Sequence, residues 1–151
     1  MTEIRRATSA DAVILAELRW EFRSAQVPPV ESREAFVQRC EAWLNRELQG
    51  GSAWKAWVAV DGPLIVGQVW VQAVQKIPNP AAECEQLAYL SNLYVRPAAR
   101  GGIGTRLLEV ALDWCRAGGI DRVVLWPSRR SVTLYLRHGF SQDGAVMELK
   151  I

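Results

Sequence analysis

The chain has 151 residues, half of them hydrophobic, and a formal net charge of +2. This length predicts a single domain over residues 1–151 with a core that needs no disulfide or metal to hold it. The small net charge argues against general attraction to nucleic acid, and three cysteines without metal-ligand spacing predict free thiols and no metal site. The polar N-terminus and short apolar runs predict no signal peptide and no membrane span, so we expect a cytoplasmic protein.

The N-terminal half is predicted to place two helices before a β-hairpin. Apolar residues recur at helical spacing after Thr8 and Ser9 and again after Ser32, which are typical helix N-caps. Beyond residue 51 the apolar period changes to two, with a turn at Asp61 and Gly62. The predicted elements are a strand over Ile4–Ala7, a helix over Asp11–Ser24, a helix from Ser32 to the glycines at 50 and 51, and strands over Trp54–Val60 and Leu64–Val74.

The C-terminal half is predicted to contain a β-α-β unit. A long strand, which must bend or bulge, leads through a glycine turn and an amphipathic helix into a short apolar strand. A strand, a crossover helix and a second strand predict parallel pairing of the two strands. The predicted elements are strands over Cys84–Val95 and Arg122–Trp126, helices over Gly102–Arg116 and Arg130–Arg137, and a last alternating strand over Val146–Lys150.

The turn from Arg100 to Arg106 carries almost no side chains. Glycines let the backbone approach a ligand closely, and the free N–H groups of a helix N-terminus attract anions, so the turn predicts a phosphate cradle. A dinucleotide fingerprint would need a third glycine where Leu107 stands and an acid after the next strand, and a P-loop would need a lysine. A purely structural turn is the other interpretation. Eight arginines between residues 96 and 137 favour a polyanionic small molecule.

A second motif, Leu134-Tyr135-x-x-x-Gly139-Phe140, follows the second parallel strand. Together with the glycine turn and the element order, it resembles the GNAT superfamily of acetyl-CoA-dependent N-acetyltransferases over essentially the whole chain. The resemblance implies an α/β (α+β) GNAT fold with a mixed central sheet of six to seven strands, about four helices and a splayed parallel pair in the middle. One departure is that the family motif [QR]-x-x-G-x-[GA] expects Arg or Gln at Ala99, whereas the arginine present is Arg100.

The resemblance also implies roles for individual residues. The glycine turn would hold the pyrophosphate of the co-substrate acetyl-CoA, and backbone groups of two strand residues would pair with its pantetheine arm. Tyr135 is expected to be the general acid that protonates the departing thiolate. Ser128 stands where the family often has an Asn that contacts the arm. The implied cofactor-binding residues are Leu93, Val95, Arg100, Gly101, Gly102, Ile103, Gly104, Thr105, Arg106, Ser128 and Tyr135.

The general base and the acceptor stay open. Ser91 and Asn92 stand where such enzymes often carry a carboxylate, and Glu85 is a candidate base through a chain of waters, with solvent deprotonation and a plain solvated charge as alternatives. The expected acceptor is a primary amine of a small molecule or a peptide amino terminus, acetylated by direct attack in a ternary complex. Its pocket is expected between Trp20, the loop Ala25–Glu31 and the loop Lys76–Cys84.

Two other functions fit the same fold. One is a non-catalytic module that senses acyl-CoA, which is favoured by the missing carboxylate and by a glycine turn that is one residue shorter than the family motif. The other is a transferase that acetylates aminoacyl-tRNA, whose only support is the arginine-rich half. An exposed last strand would also allow a homodimer.

Overall fold

A computed structural model describes all 151 residues and contains one mixed five-stranded sheet between helices. The strands are β1 (Thr2–Arg6), β2 (Trp54–Asp61), β3 (Leu64–Gln75), β4 (Gln86–Val95) and β5 (Val123–Val124). The helices are α1 (Ala12–Ser24), α2 (Arg33–Leu48), α3 (Ile103–Ala117) and α4 (Val132–Arg137), and short 3-10 turns lie at Ser9–Asp11 and Pro97–Ala99. The strands lie in chain order across the sheet, antiparallel from β1 to β4, with β5 parallel to β4.

Two apolar cores lie on opposite faces of this sheet. Along β2, Trp57 and Ala59 pack into the core beneath α3, whereas Ala56 and Val58 pack against α1 and α2. This alternation follows from the two-residue period of a strand. The larger core contains the inward stripe of α3: Ile103, Leu107, Leu108, Ala111, Leu112 and Cys115. The sheet is therefore buried on both faces, and its edges and strand ends are what stay accessible.

The predicted helices, the hairpin and the β-α-β unit are confirmed, with ends within about two residues of those predicted. The predicted irregularity of β4 is also confirmed. The pairing register between β3 and β4 shifts between Gln68 and Trp70 of β3, and Asn92 of β4 has a positive φ of 58°. None of the helices has the length and apolar character that crossing a bilayer requires.

The prediction of six to seven strands is wrong, because the sheet has five. Residues 141–151 form no strand, and Val146, Met147 and Leu149 are exposed. The edge strand β5 has only two residues and is half-buried, and Pro127 beyond it lacks an N–H, so this edge offers a further strand few backbone partners. A single side-chain bond, from Trp126 Nε1 to a carboxylate oxygen of Glu148 at 3.3 Å, joins the C-terminal segment to this edge.

Candidate active site

The parallel strands β4 and β5 separate soon after they meet. Their ladder joins Ala88 to Val123 and Tyr89 to Val124 and goes no further. The bulge at Asn92 then bends β4. The result is a gap beside the second half of β4, as expected for the splayed pair.

Leu93 and Val95 turn their backbone groups toward this gap. The N–H of Arg96 donates to the carbonyl of Val66 on β3 at 2.8 Å, so Arg96 faces β3. Successive residues of a strand direct their backbone groups to opposite edges, which places those of Leu93 and Val95 on the side away from β3. The carbonyl of Val95 accepts a bond of 3.1 Å from Arg100 Nε. The pair predicted from the sequence therefore lies on the open edge.

The glycine turn presents five consecutive amides, residues 101–105, that donate to no acceptor in the protein. The amides on either side are used, because Arg100 donates to Pro97 at 3.4 Å and Arg106 donates to Gly102 at 3.1 Å. Gly101 and Gly102 have φ of 142° and 98°, which glycine adopts without strain. A Cβ at either position would meet nothing within 4 Å, so the space above the turn is open.

This open turn is also the N-terminus of a 15-residue helix, α3. The aligned peptide dipoles place partial positive charge at that end, where the unpaired amides point outward. The two arginines that flank the turn are directed differently. Arg100 folds back onto Val95, whereas Arg106 lines a groove with Glu109 and residues 1–4, toward the far edge of the sheet. An anion at the turn would therefore meet mainly backbone donors.

Tyr135 lies on α4 with its ring in the larger core. The residue is 7% exposed and its ring meets Phe140 edge-on at a centroid distance of 5.4 Å. Its hydroxyl makes no hydrogen bond within the protein. Every fully buried side-chain N or O atom of the structure has a hydrogen-bond partner, so the Tyr135 oxygen is not fully buried and keeps some contact with solvent. Burial raises the pKa of Tyr135 to about 12. The phenol therefore stays protonated at neutral pH and its proton is not committed to another group.

Ser128 helps to build the turn that begins α4. Its N–H donates to Ser131 Oγ at 3.0 Å, and the two hydroxyl oxygens lie 2.9 Å apart. At the other end of α4, His138 Nδ1 lies 2.9 Å from the carbonyl of Leu134, and its Nε2 lies 3.5 Å from Glu109 on α3. These contacts fix the short helix that carries Tyr135.

Glu85 lies just before β4, where it closes a loop. Its carboxylate accepts the N–H of Asn79 at 2.8 Å and its carbonyl accepts the N–H of Lys76 at 2.8 Å. Six residues of extended chain, about 20 Å, separate it from Ser91 at the gap. The structure therefore does not bring the candidate base to the residues that line the gap.

One side chain near the gap went unnoticed in the sequence. Arg19 of α1 donates from Nη1 to Asn92 Oδ1 at 3.3 Å and is half-buried. The signal was present in the helical period, because Arg19 stands four residues after Leu15 and three before Phe22, in the stripe that faces the sheet.

A cleft of about 300 Å³ lies at the C-terminal end of α1. Trp20 and Phe36 form one wall, with ring centroids 5.8 Å apart, and residues 27–31 form another. Two of the three segments predicted for the acceptor pocket thus meet here. The loop Lys76–Cys84 does not line this cleft.

Comparison with known proteins accounts for this arrangement. The sequence model of the acetyltransferase (GNAT) family matches residues 14–140. The chain belongs to the acetyltransferase (GNAT) family. It is therefore an acyltransferase, and the resemblance noted in the sequence is confirmed. None of the curated proteins compared with the chain matches it.

Solved structures of this family share the fold at low sequence identity. A predicted acetyltransferase from Clostridium acetobutylicum, solved with acetyl-CoA, is 20% identical, covers 99% of this chain and 96% of its own, and has a TM-score of 0.83. A GCN5-related N-acetyltransferase from Ralstonia eutropha is 25% identical, with coverages of 100% and 99% and a TM-score of 0.81. Glucosamine-6-phosphate N-acetyltransferase from Arabidopsis thaliana is 20% identical, with coverages of 99% and 98% and a TM-score of 0.70.

Proposed function

We propose that this acetyltransferase moves an acetyl group from acetyl-CoA to a primary amine, a small molecule or an amino terminus, by direct attack in a ternary complex. The observation that carries the proposal is the row of five unpaired amides at residues 101–105, beside the open edge of β4. A diphosphate requires several donors and free approach, and the open space above Gly101 and Gly102 meets both requirements. The Clostridium relative, solved with acetyl-CoA, supports the same ligand.

Each part of the site would have a separate task. The amides of the turn and the N-terminus of α3 would hold the diphosphate, and the backbone of Leu93 and Val95 would pair with the pantetheine arm. When bound, acetyl-CoA supplies an acetyl thioester with a thiol leaving group. Because the pKa of Tyr135 is about 12, its Oη stays protonated and can donate that proton to the departing sulfur. Positioning supplies much of the rate in such a site, because the reactants no longer have to find each other.

Loss of a proton from the attacking amine needs no carboxylate at the gap. Ser91 and Asn92 occupy the nearest positions, and Glu85 is about 20 Å further along the strand. We therefore assign the deprotonation to solvent, and a rate that keeps rising with pH toward the pKa of the amine would support this assignment. Replacement of Glu85 by Gln should then leave the pH profile of kcat unchanged.

The test is release of free thiol from acetyl-CoA across a panel of amines, together with calorimetric binding of CoA. Turnover that depends on an amine supports the proposal. Tight binding of CoA without turnover on any amine would favour the sensor module, which the absence of a carboxylate at Ser91 and Asn92 also favours. Failure to bind CoA would overturn both functions.

A further inference from the structure

Arg19 is a half-buried cation with no carboxylate partner. The ion pairs of the fold involve other basic groups: Arg5, Lys76, Arg39, Arg96, Arg116 and His138. The only hydrogen bond of the Arg19 guanidinium goes to the neutral amide oxygen of Asn92 at 3.3 Å. Partial burial of a charge without a counter-ion is costly, and a guanidinium has five N–H donors to satisfy. Most of the donors of Arg19 are therefore free for a ligand.

The groups around Arg19 add no negative charge. Its neighbours are Arg23 on the next turn of α1, the thiol of Cys40 on α2 and the phenol of Tyr89 on β4. Burial and the charge of Arg23 lower the pKa of Arg19, and burial raises the pKa of the Cys40 thiol, which keeps that thiol neutral. Even with a lowered pKa, a guanidinium stays charged at neutral pH.

Glu17 and Glu21 are each two residues from Arg19, and helix residues at that spacing do not face each other. Glu21 makes two bonds with Arg96, at 2.8 and 3.1 Å. Glu31, which lines the cleft at the end of α1, is paired with Arg39. Neither is available to neutralise Arg19. Arg19 is thus left without a counter-ion although it is partly withdrawn from water.

The position of Arg19 connects it to the proposed reaction. Asn92, its hydrogen-bond partner, forms the bulge of β4, and the next residue, Leu93, faces the gap where the acyl donor would lie. Arg19 does not itself line the cleft at the end of α1, but Arg23, one helical turn further along the same face, does. A molecule that extends from Arg23 in the cleft to Asn92 beside the gap would therefore pass the guanidinium of Arg19.

We propose that Arg19, together with Asn92, determines acceptor specificity by binding an anionic group, a carboxylate or a phosphate, of the amine that is acetylated. The inference rests on the proposed function and names its substrate class as amines that carry an anion close to the nucleophile. The planar guanidinium can bind either anion through two parallel N–H bonds. Asn92 would fix the orientation of that fork from the opposite side.

Matched pairs of amines test this proposal. One arm compares α-amino acids with their carboxamides, and the other compares aminoalkyl phosphates with the corresponding amino alcohols. We expect the anionic member of at least one arm to have the lower KM, and that arm identifies the anion. The substitution Arg19→Gln should raise KM for that member by about 10- to 100-fold, as expected when a charged hydrogen-bond partner is lost, with kcat and the neutral member little affected.

Two further variants separate a specific role from a structural one. Arg19→Lys keeps the charge without the fork and should recover part of the affinity, and Arg46→Gln, at an exposed arginine of α2, should change nothing. Equal KM for both members of every pair, or equal losses on both in Arg19→Gln, would overturn the proposal. If no amine is acetylated although CoA binds, the proposed function fails. The role of Arg19 is then tested by calorimetric binding of the same pairs to the CoA-loaded protein. Equal affinity for both members of every pair would refute anion binding by Arg19.

Discussion

The amide of Gly104 allows the phosphate cradle to be tested by removing a single donor. Gly104 is the second residue of α3, and its N–H has no partner in the protein. Proline at this position would remove that N–H without breaking a helical bond. The carbonyl four residues earlier belongs to Arg100, which is extended with ψ of 150°, so the ring would not meet the carbonyl clash found inside a helix. Alanine is the matched control, because its Cβ would come no closer than 3.9 Å to Val95 and its N–H is kept.

The expected effect follows from one lost hydrogen bond to a charged group. Such bonds contribute about 1.5–3 kcal/mol, which corresponds to about 10- to 150-fold in Kd. Five amides share the diphosphate in the proposed arrangement, so the loss of one should lie near the lower limit. We expect Gly104→Pro to raise the Kd of acetyl-CoA about 10-fold and Gly104→Ala to leave it nearly unchanged.

Isothermal titration calorimetry with acetyl-CoA measures this difference directly. Thermal unfolding of both variants shows whether α3 is intact, and alanine should if anything stabilise it, since glycine is the poorer helix former by about 1 kcal/mol. Equal Kd values for two folded variants would show that the Gly104 amide does not contact the ligand. The assignment of the turn as the cradle would then be refuted.

Three further predictions concern Tyr135, the first helix and the C-terminal segment. Tyr135→Phe should lower kcat by about 100-fold or more with little change in the Kd of acetyl-CoA. Because the pKa of Tyr135 is about 12, the ratio of variant to wild-type kcat should be constant below about pH 10. Equal losses in kcat and in affinity for acetyl-CoA would indicate a structural role. The hydrogen bond from Arg5 lowers the pKa of Asp11, so this group stabilises the fold above its unfolded pKa and the contribution is lost as pH falls through the folded pKa. Asp11→Asn should therefore cost about 1 kcal/mol in chemical unfolding at neutral pH and much less in acid, and a cost that does not change with pH would contradict the ion pair. A homodimer, which the sequence allows, would bury the exposed Met147 and Leu149; sedimentation should then give a dimer that Leu149→Asp dissociates, and a wild-type monomer at high concentration would refute this.

The parts of the fold that local rules determine could be predicted from the sequence. The change of apolar period after residue 51, the glycines of the hairpin and the amphipathic stripe of α3 each act within a few residues, and the structure has them where they were expected. The bulge in β4 was predictable from length alone, because an uninterrupted strand of that extent is unusual. Parallel pairing of β4 and β5 followed from the crossover helix.

The failures concern contacts between distant residues. The alternation over Val146–Lys150 is real, but a strand also needs a neighbour, and Pro127 shortens the edge that would supply it. The direction of a long side chain is equally non-local. The bond from Arg100 Nε to the carbonyl of Val95 depends on how the turn closes, so the sequence did not indicate it, and phosphate binding by Arg100 stays a prediction. Glu85 likewise gained a partner, Asn79, that the sequence pattern did not indicate.

The two halves of the proposed site differ in how they depend on sequence. The donor half consists of main-chain N–H and C=O groups at residues 93, 95 and 101–105, which almost any side chain can supply once the glycines set the turn. Such a site can survive extensive substitution as long as the fold persists, and the fold does persist at 20% identity in the Clostridium acetobutylicum structure, with a TM-score of 0.83. The acceptor half consists of side chains on α1 and the following loop, and these are free to diverge while the fold persists. Similarity of fold therefore leaves the acceptor to local chemistry, and in this chain the most informative local feature is the charge of Arg19, which has no carboxylate partner.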